Sequence, residues 1–235
     1  MKIAIHQPNY LPYPGFFAKA GLCDKFVIYD TAQFTRGDFI NRNRIRTFSF
    51  NGTMWLTLPV GKKKYEGVPI TEVKIKDEAI FGEHGKTLKM MYSRALYYNQ
   101  EVCDVVGTAH ESLAEHNTFL IQYILQKLDM KPLVVHSSEL NISIGHGTSG
   151  IIDIVKALNG TEYISGLGAK TYLEEERFKE ESIALSYIAY EPLRYTQMHP
   201  GFVENTSIID AIFNVGWSEL EKALKNTEIQ RQGEV

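Results

Sequence analysis

The chain has 235 residues, of which 44% are hydrophobic, and a formal net charge of −3. This size and composition are typical of a globular protein with a substantial core, built as one large domain or two small ones. The slightly negative charge argues against a protein that neutralises many DNA phosphates, so no DNA partner is expected. Because no apolar run approaches the roughly 18 residues of a membrane span and the N-terminus does not read as a signal peptide, we expect a soluble, cytoplasmic protein with no membrane partner.

The chain contains two cysteines, Cys23 and Cys103. They lack the spacing of metal ligands and are too few for a disulfide framework. We therefore expect two reduced thiols and no metal site built on them.

The N-terminal segment His6–Phe16 reads HQPNYLPYPGF and directly follows the apolar run Ile3–Ile5. Its three prolines fix φ near −65° and supply no N–H, which makes the loop rigid. The loop presents an imidazole, two amides and two phenols, groups that donate, accept and titrate. We place the active site here, with His6, Gln7, Asn9 and Tyr10 as candidates.

A helix starting near Gly15 and a second apolar run, Lys25–Asp30, follow this loop. The order strand, loop, helix, strand is typical of a parallel sheet, in which ligands bind outside the carboxyl ends of the strands. His6 and Asp30 each follow such an end. We therefore expect both to face the same crevice.

The segment 30–46 is the most polar part of the chain and contains four arginines within eleven positions. A guanidinium group matches the geometry of phosphate oxygens, so this block predicts a local site for a diphosphate. The substrate-binding candidates taken from it are Gln33, Asn41, Arg42, Asn43 and Arg44.

Further elements follow from hydrophobic periodicity and from the residues that start and stop helices. Strands are predicted over 54–60, 68–75, 133–136, 163–164 and 183–189, and helices over 84–98, 112–128, 148–158 and 207–213. His84, at the start of the first of these helices, is a further substrate-binding candidate. The remaining histidines, His136 among them, are expected to be structural or solvated.

A glycine-containing loop, Ser165–Leu173, follows the strand at 163–164 and is predicted to precede a helix. Glycines let backbone amides approach a ligand, and a helix N-terminus favours an anion. This is the second candidate site. Its members are Ser165, Gly166, Gly168 and Tyr172.

Together these elements predict an α/β fold with three layers: a mostly parallel sheet with helices on both faces and a helical C-terminal part. Residues 1–225 are expected to form a single domain and residues 226–235 a flexible tail.

Seven blocks in this order resemble the WbqC-like family over nearly the whole chain. They are His6–Pro12, Phe26–Asp30 with Gln33-Phe34, Asn41–Ile45, Tyr163–Gly166, Tyr172-Leu173, Tyr195 with Gln197, and Ser207–Asp210. The resemblance implies a role in bacterial surface-polysaccharide (O-antigen) biosynthesis, as an enzyme that forms an amide on an amino sugar. Gln197 joins the substrate-binding candidates through this resemblance.

A weaker resemblance links the first strand, loop, helix and second strand to nucleotidyltransferase-type α/β enzymes, which include ligases that act through an acyl adenylate. Their loop carries two histidines around a glycine. The aligned residues here are Tyr13-Pro14-Gly15-Phe16, so both imidazoles are missing. This difference argues against ATP chemistry, since those groups stabilise charge on the transferred phosphoryl group.

Amide formation requires that the amine lose a proton before it attacks an acyl carbonyl, which assigns His6 as general base and Asp30 as the group that orients it. Tyr10, with Gln7 or Asn9, would stabilise the oxyanion. The favoured acyl donor is a thioester of coenzyme A or of a carrier protein, and the acceptor is a nucleotide-linked amino sugar.

Three function classes stay open at this point: an N-acyl or N-aminoacyl transferase, an ATP- and Mg²⁺-dependent ligase with its metal near Asp30, and a non-catalytic sugar-binding protein. Polar residues at strand ends favour an enzyme, because an interaction module would more often show an exposed apolar stripe. An acyl or aminoacyl carrier and a homodimer are open as partners.

Overall fold

The computed structural model describes residues 1–61, 65 and 67–231. Eight strands are present in this part of the chain: β1 (Lys2–His6), β2 (Lys25–Ile28), β3 (Arg42–Arg46), β4 (Thr53–Thr57), β5 (Leu133–His136), β6 (Glu162–Gly166), β7 (Ala184–Ala189) and β8 (Glu228–Arg231). The helices are α1 (Pro14–Gly21), α2 (Ala79–Tyr92), α3 (Gln100–Val106), α4 (Leu113–Lys127), α5 (Thr148–Ala157), α6 (Glu175–Glu180), α7 (Ile208–Val215) and α8 (Trp217–Lys225).

The main sheet has six strands in the order β5-β2-β1-β6-β7-β8. The first five of these run parallel, and β8 pairs antiparallel with β7. In chain order the parallel strands follow the sequence 3-2-1-4-5. The direction of winding therefore reverses between β1 and β6, and the crevice at such a reversal is where open α/β sheets bind ligands.

Helices cover both faces of this sheet. Ala4, Phe26 and Ile164 face a core that also contains residues of α1, α2, α3, α4, α7 and α8. Their neighbours Ile3, Val27 and Tyr163 face a second core with α5 and α6. Because successive side chains of a strand point to opposite faces, one short apolar run supplies both cores. The predicted three-layer α/β fold is confirmed.

Strands β3 and β4 form a separate antiparallel ribbon. Here the Arg42–Arg46 segment of the arginine-rich block pairs with Thr53–Thr57, which overlaps the strand predicted over 54–60. No helix in the described residues is long and apolar enough to cross a membrane.

Three predicted elements differ from the structure. Residues 68–75 contain the short 3₁₀ helix Ile70–Glu72 instead of a regular strand. The helix expected over 84–98 is α2, which ends at Tyr92, and α3 follows after Asn99, whose side chain accepts a hydrogen bond from the N–H of Glu101. Within the tail expected from 226 onwards, Glu228–Arg231 form β8, and residues 232–235 lie outside the described part.

Candidate active site

A cavity of about 490 Å³ opens at the carboxyl ends of β1 and β6, where the winding of the sheet reverses. We call it the switch-point cavity. Among the residues predicted from sequence, it is lined by His6, Gln7, Ser165, Gly166, Gly168 and Tyr172. The fold therefore brings the first motif loop and the glycine loop together, although about 160 residues separate them in the chain.

His6 is the last residue of β1, and its ring packs edge-on against Phe16 with 4.7 Å between centroids. Its Nδ1–H donates to the carbonyl oxygen of Gln7 at 3.0 Å, which leaves Nε2 as an acceptor. Burial, together with the charge of Lys19, lowers the pKa of His6 to about 3. The imidazole is thus neutral at physiological pH and too weakly basic for the general-base role predicted from the sequence.

Lys19 lies on α1 and also lines the switch-point cavity. Its side chain is 6% exposed, and its Nζ donates to the carbonyl oxygen of Ile5 at 3.0 Å. Burial lowers the pKa of its ammonium group to about 8. Sequence reasoning missed this residue. The signal was one cation on an otherwise apolar helix, Phe16-Phe17-Ala18-Lys19-Ala20.

Three glycines also line the switch-point cavity. A Cβ atom placed on Gly166 or on Gly168 would meet no heavy atom within 4 Å, so both positions border open space. The third, Gly147, has φ of 57° and directly precedes α5. The loop itself contains the 3₁₀ helix Leu167–Thr171, and the helix predicted to follow the loop is α6 (Glu175–Glu180). No residue of α6 lines the cavity, so the α-helix N-terminus at this site is that of α5.

Asp30 does not contact His6. Its carboxylate accepts a hydrogen bond from His136 Nδ1 at 2.8 Å, two from Ser137 Oγ and Ser138 Oγ at 2.8 Å each, and one from the Ser138 N–H at 3.0 Å. Burial disfavours the charge of Asp30, but the hydrogen bonds from His136, Ser137 and Ser138 outweigh it and hold the pKa below its usual value. The predicted His6–Asp30 pair is therefore replaced by an Asp30–His136 dyad.

This dyad lines a second cavity of about 440 Å³ at the carboxyl ends of β2 and β5, which we call the dyad cavity. The hydrogen bond to Asp30 raises the pKa of His136 despite partial burial. The other polar residues that line it are Thr71, His110, Ser112, Glu115, Thr118 and Gln122. His136 was expected to be structural or solvated, because a lone histidine at the end of a short strand gives no local signal of its partner.

The model of the WbqC-like protein family matches residues 7–222 of the chain. This range includes the motif residues that line the two cavities, apart from His6. The chain belongs to the WbqC-like protein family. The uncharacterized protein Rv1507c of Mycobacterium tuberculosis is 33% identical over 221 residues, which cover 92% of this chain and 94% of that protein. No solved structure matches the chain. Membership of this family suggests a role in polysaccharide biosynthesis and is consistent with an enzyme.

Several of the site residues predicted from the sequence lie away from both cavities. The hydroxyl of Tyr10 and Nδ1 of His84 share a hydrogen bond of 2.8 Å inside the core. Burial lowers the pKa of His84 to about 4 and raises the pKa of Tyr10. Without access to a ligand, Tyr10 cannot supply the predicted oxyanion contact, and His84 is not placed to bind substrate.

The motif amides act mainly on the chain itself. Asn41 donates to the carbonyl oxygen of Leu58, and Asn43 donates to those of Tyr10 and Leu11. Gln197 donates to Asp210 Oδ2 and to the carbonyl oxygen of Val203. All three amides are buried, so the structure assigns them to loop anchoring. Asn9 is half-buried and Gln33 is exposed, and neither lines either cavity.

The arginines of the WbqC-like block lie on or around the ribbon. Arg42 donates to the carbonyl oxygen of Gly37, and its guanidinium lies 4.1 Å above the centre of the Trp55 ring. Arg44 lies 5.7 Å from the same ring, and Arg46 is fully buried. Neither Arg42 nor Arg44 lines the switch-point or dyad cavity, so the basic group beside the first loop is Lys19.

Among the described residues, no group of three or more His, Cys, Asp or Glu side chains could hold a metal ion. The Asp30 carboxylate, near which the ligase hypothesis placed Mg²⁺, already accepts four hydrogen bonds.

Proposed function

We propose that this WbqC-like protein is a transferase that forms an amide on a nucleotide-linked amino sugar during surface-polysaccharide biosynthesis. The acyl or aminoacyl group arrives as a thioester of coenzyme A or of a carrier protein. Membership of the family supports a role in polysaccharide biosynthesis. The switch-point cavity supports a phosphate-bearing ligand such as a nucleotide-linked sugar.

The observation that carries the proposal is the position and lining of the switch-point cavity. It lies at the reversal of winding, where α/β sheets bind nucleotides and their relatives. Its lining includes the buried Lys19, glycines whose added Cβ would meet no neighbouring atom, and Gly147 at the N-terminal end of α5. A buried cation and a helix N-terminus that border the same cavity favour a phosphate-bearing ligand.

The neutral state of His6 gives it a binding role in this proposal. Its Nε2 accepts a hydrogen bond from a ligand hydroxyl, and the amide of neighbouring Gln7 donates or accepts beside it. The amine of the sugar must still lose a proton before it attacks the acyl carbonyl. With a pKa of about 3, His6 leaves that task to another group.

A second function is favoured by the strand order. The parallel order 3-2-1-4-5 is also that of nucleotide-binding sheets, so the same cavity suits the adenylate of an ATP-dependent carboxylate-amine ligase. This alternative differs in its donor, a free carboxylate with ATP and Mg²⁺, and not in the amino-sugar acceptor.

Mass spectrometry of reactions with a panel of nucleotide-linked amino sugars separates the two functions. One set of reactions receives acyl or aminoacyl thioesters, and the other receives free carboxylates with ATP and Mg²⁺. Amide product with thioesters alone supports the transferase, and product with ATP alone supports the ligase. Absence of amide in both sets would contradict amide formation and leave the sugar-binding hypothesis.

The ligand class is tested separately by calorimetric titration with the same nucleotide-linked amino sugars. Lys19→Met should weaken binding at least tenfold, because it removes the only Lys or Arg among the described residues lining the switch-point cavity. Lys222→Met is the matched control, since Lys222 is exposed and pairs with Glu219 on α8. Equal affinity of the Lys19 variant and the wild type would contradict a phosphate site here.

A further inference from the structure

We propose that His136, held by Asp30, is the general base of amide formation and that the dyad cavity receives the amino group of the substrate. This inference rests on the proposed amide-forming function and names the base that His6 cannot supply.

The hydrogen bonds of Asp30 fix the chemical state of His136. Every donor to this carboxylate comes from the segment that ends β5 and follows it, namely His136, Ser137 and Ser138. A carboxylate accepts, so the proton of the imidazole lies on Nδ1 and the lone pair lies on Nε2. The Asp30 side chain is 3% exposed and that of His136 is 25% exposed, so the base is much more accessible than the group that orients it.

This arrangement is the one that activates histidine in hydrolases and transferases. A buried carboxylate holds one ring nitrogen, fixes the tautomer and stabilises the imidazolium that forms when the other nitrogen takes a proton. Asp30 is thus the positioning residue, and His136 is the group that contacts substrate.

The lining of the dyad cavity suits an amine. It contains the carboxylates of Asp30 and Glu115, the imidazoles of His110 and His136, and no Lys or Arg among the described residues. Thr118 also lines it, and its buried hydroxyl has no hydrogen-bond partner within the described part of the chain. A primary ammonium group can pair with the Glu115 carboxylate and donate to the Thr118 hydroxyl, whereas a phosphate would meet negative charge.

The two cavities lie close enough for one substrate to reach both. His6 pairs in register with Ile28, and Ile28 pairs in register with His136. Two strand spacings separate the backbones of the two histidines, which is about 10 Å. A sugar whose diphosphate lies beside Lys19 can therefore place an amino group in the dyad cavity.

The sugar binds in the dyad cavity as an ammonium ion and then gives one proton to bulk water, which leaves a neutral amine in the site. The nitrogen then attacks the thioester carbonyl, the C–N bond forms, and Nε2 of His136 takes the second proton. As the tetrahedral intermediate collapses, the C–S bond breaks and the thiolate leaves. His136 passes its proton to that thiolate, which restores the neutral imidazole.

The first test uses His136→Asn and His136→Ala in the full-length chain. The Asn amide keeps a donor for Asp30 but has no basic nitrogen, so the rate of amide formation should fall at least 100-fold while thermal unfolding stays close to wild type. Added imidazole should restore part of the rate of the Ala variant and none of the rate of a denatured control. A full rate in His136→Asn, or no rescue of a folded His136→Ala, would overturn the assignment.

The second test reads the imidazole directly and needs no turnover. Nitrogen-15 NMR of the seven histidines should show His136 as the Nδ1–H tautomer. The signals of His136 are assigned as those that disappear from the spectrum of His136→Asn. Asp30→Asn should lower its pKa. Among the described residues, the charged or titratable groups around His136 are Asp30, His110, Glu115 and Glu139, and of these Asp30 is hydrogen-bonded to the ring. An Nε2–H tautomer, or a pKa unmoved by Asp30→Asn, would contradict the dyad.

The third test asks whether the cavity binds the amine. A nucleotide-linked amino sugar should bind more tightly than its N-acetylated form, and Glu115→Gln should remove most of that preference. Glu111→Gln is the matched control, because Glu111 is exposed and pairs with Lys74 outside both cavities. An unchanged preference in Glu115→Gln would contradict the amine site. If wild type binds the amine but gives no amide with any donor, the proposed function fails while the binding inference stands.

Discussion

The side chain of Asn43 donates from Nδ2 to the carbonyl oxygens of Leu11 and Tyr10, at 2.7 Å and 3.2 Å. Leu11 is fully buried and has φ of 42°, a left-handed conformation that is unfavourable for leucine. Asn43 therefore fixes the bend of the motif loop between the end of β1 and the start of α1. A residue that the sequence assigned to substrate thus acts on the loop that carries the site.

Asn43→Ala should destabilise the protein by about 1 to 3 kcal/mol, because two buried carbonyl oxygens lose their partner. Urea unfolding at neutral pH measures this. Asn226→Ala is a matched control, since Asn226 is exposed, and it should change the free energy of unfolding by less than about 0.5 kcal/mol. Equal stability of the two variants would contradict the anchoring role of Asn43.

Gly166→Val should block ligand binding and leave the fold intact. Gly166 has φ of −82° and ψ of 151°, which valine adopts readily, and its Cβ would enter open space in the switch-point cavity. Calorimetric titration with a nucleotide-linked amino sugar should show weaker binding by tenfold or more. Gly82→Val is the control, because Gly82 also borders open space but is exposed on α2, and it should retain affinity. Undiminished binding by Gly166→Val would place the ligand elsewhere.

Arg46→Lys should be strongly destabilising although it keeps the charge. The buried guanidinium donates to the carbonyl oxygens of Gly52, His199, Pro200 and Gly201 from two nitrogens, a spread that a single ammonium nitrogen cannot match. We expect a loss of about 3 kcal/mol in urea unfolding. Arg177→Lys, at an exposed position beside Glu174, should cost less than about 0.5 kcal/mol. A loss below that of the control would show that Arg46 does not hold the 199–201 segment.

Stability should decline on mild acidification. Burial lowers the pKa values of His6 and His116 to about 3 and of His84 to about 4, whereas unfolded histidine titrates near 6.5. Between about pH 6.5 and pH 4 the unfolded chain therefore binds protons that the native chain excludes. Each of the three should cost up to about 1 kcal/mol per pH unit in this window.

Urea unfolding at pH 7, 6 and 5 measures the decline. His136 acts in the opposite direction, because its raised pKa adds stability below pH 6.5 that is lost as pH rises through its folded value. His84→Gln removes one of the three excluded protons, so its decline should be shallower than that of the wild type. A decline of the same steepness in His84→Gln would show that His84 titrates normally in the native state.

The sequence predicted the layers and most strands because these depend on local patterns. Ile3, Ala4 and Ile5 already identify a buried strand, and Asn159 with Gly160 already marks the end of α5, where Asn159 has φ of 55°. The prediction of a strand over 68–75 was wrong, although its apolar residues alternate as they do in a strand. The segment contains the 3₁₀ helix Ile70–Glu72 and makes only isolated bridges, with no regular partner strand among the described residues.

The sequence located residues of the candidate site only where a polar residue or a glycine lies at the end of a predicted strand. His6, Gln7 and the glycine loop lie at strand ends, so the rule for parallel sheets located them. The Asp30–His136 dyad joins residues 106 positions apart, and no local signal marks such a pair. The polar block at 41–46 looked like a ligand site because buried amides that anchor carbonyl groups have the same composition as amides that bind sugars.

The position of β5 at the end of the sheet has a consequence for how the two cavities behave over time. His6 lies on β1, which is paired on both sides, whereas β5 pairs with β2 alone among the described strands. Outer strands open locally at lower free energy than central ones, so amide hydrogens of Val134 and Val135 should exchange before those of Ala4 and Ile5. The half of the site that we propose binds phosphate is thereby built on the most persistent part of the fold, and the half that we propose accepts a proton is built on a strand that can detach while the rest stays folded.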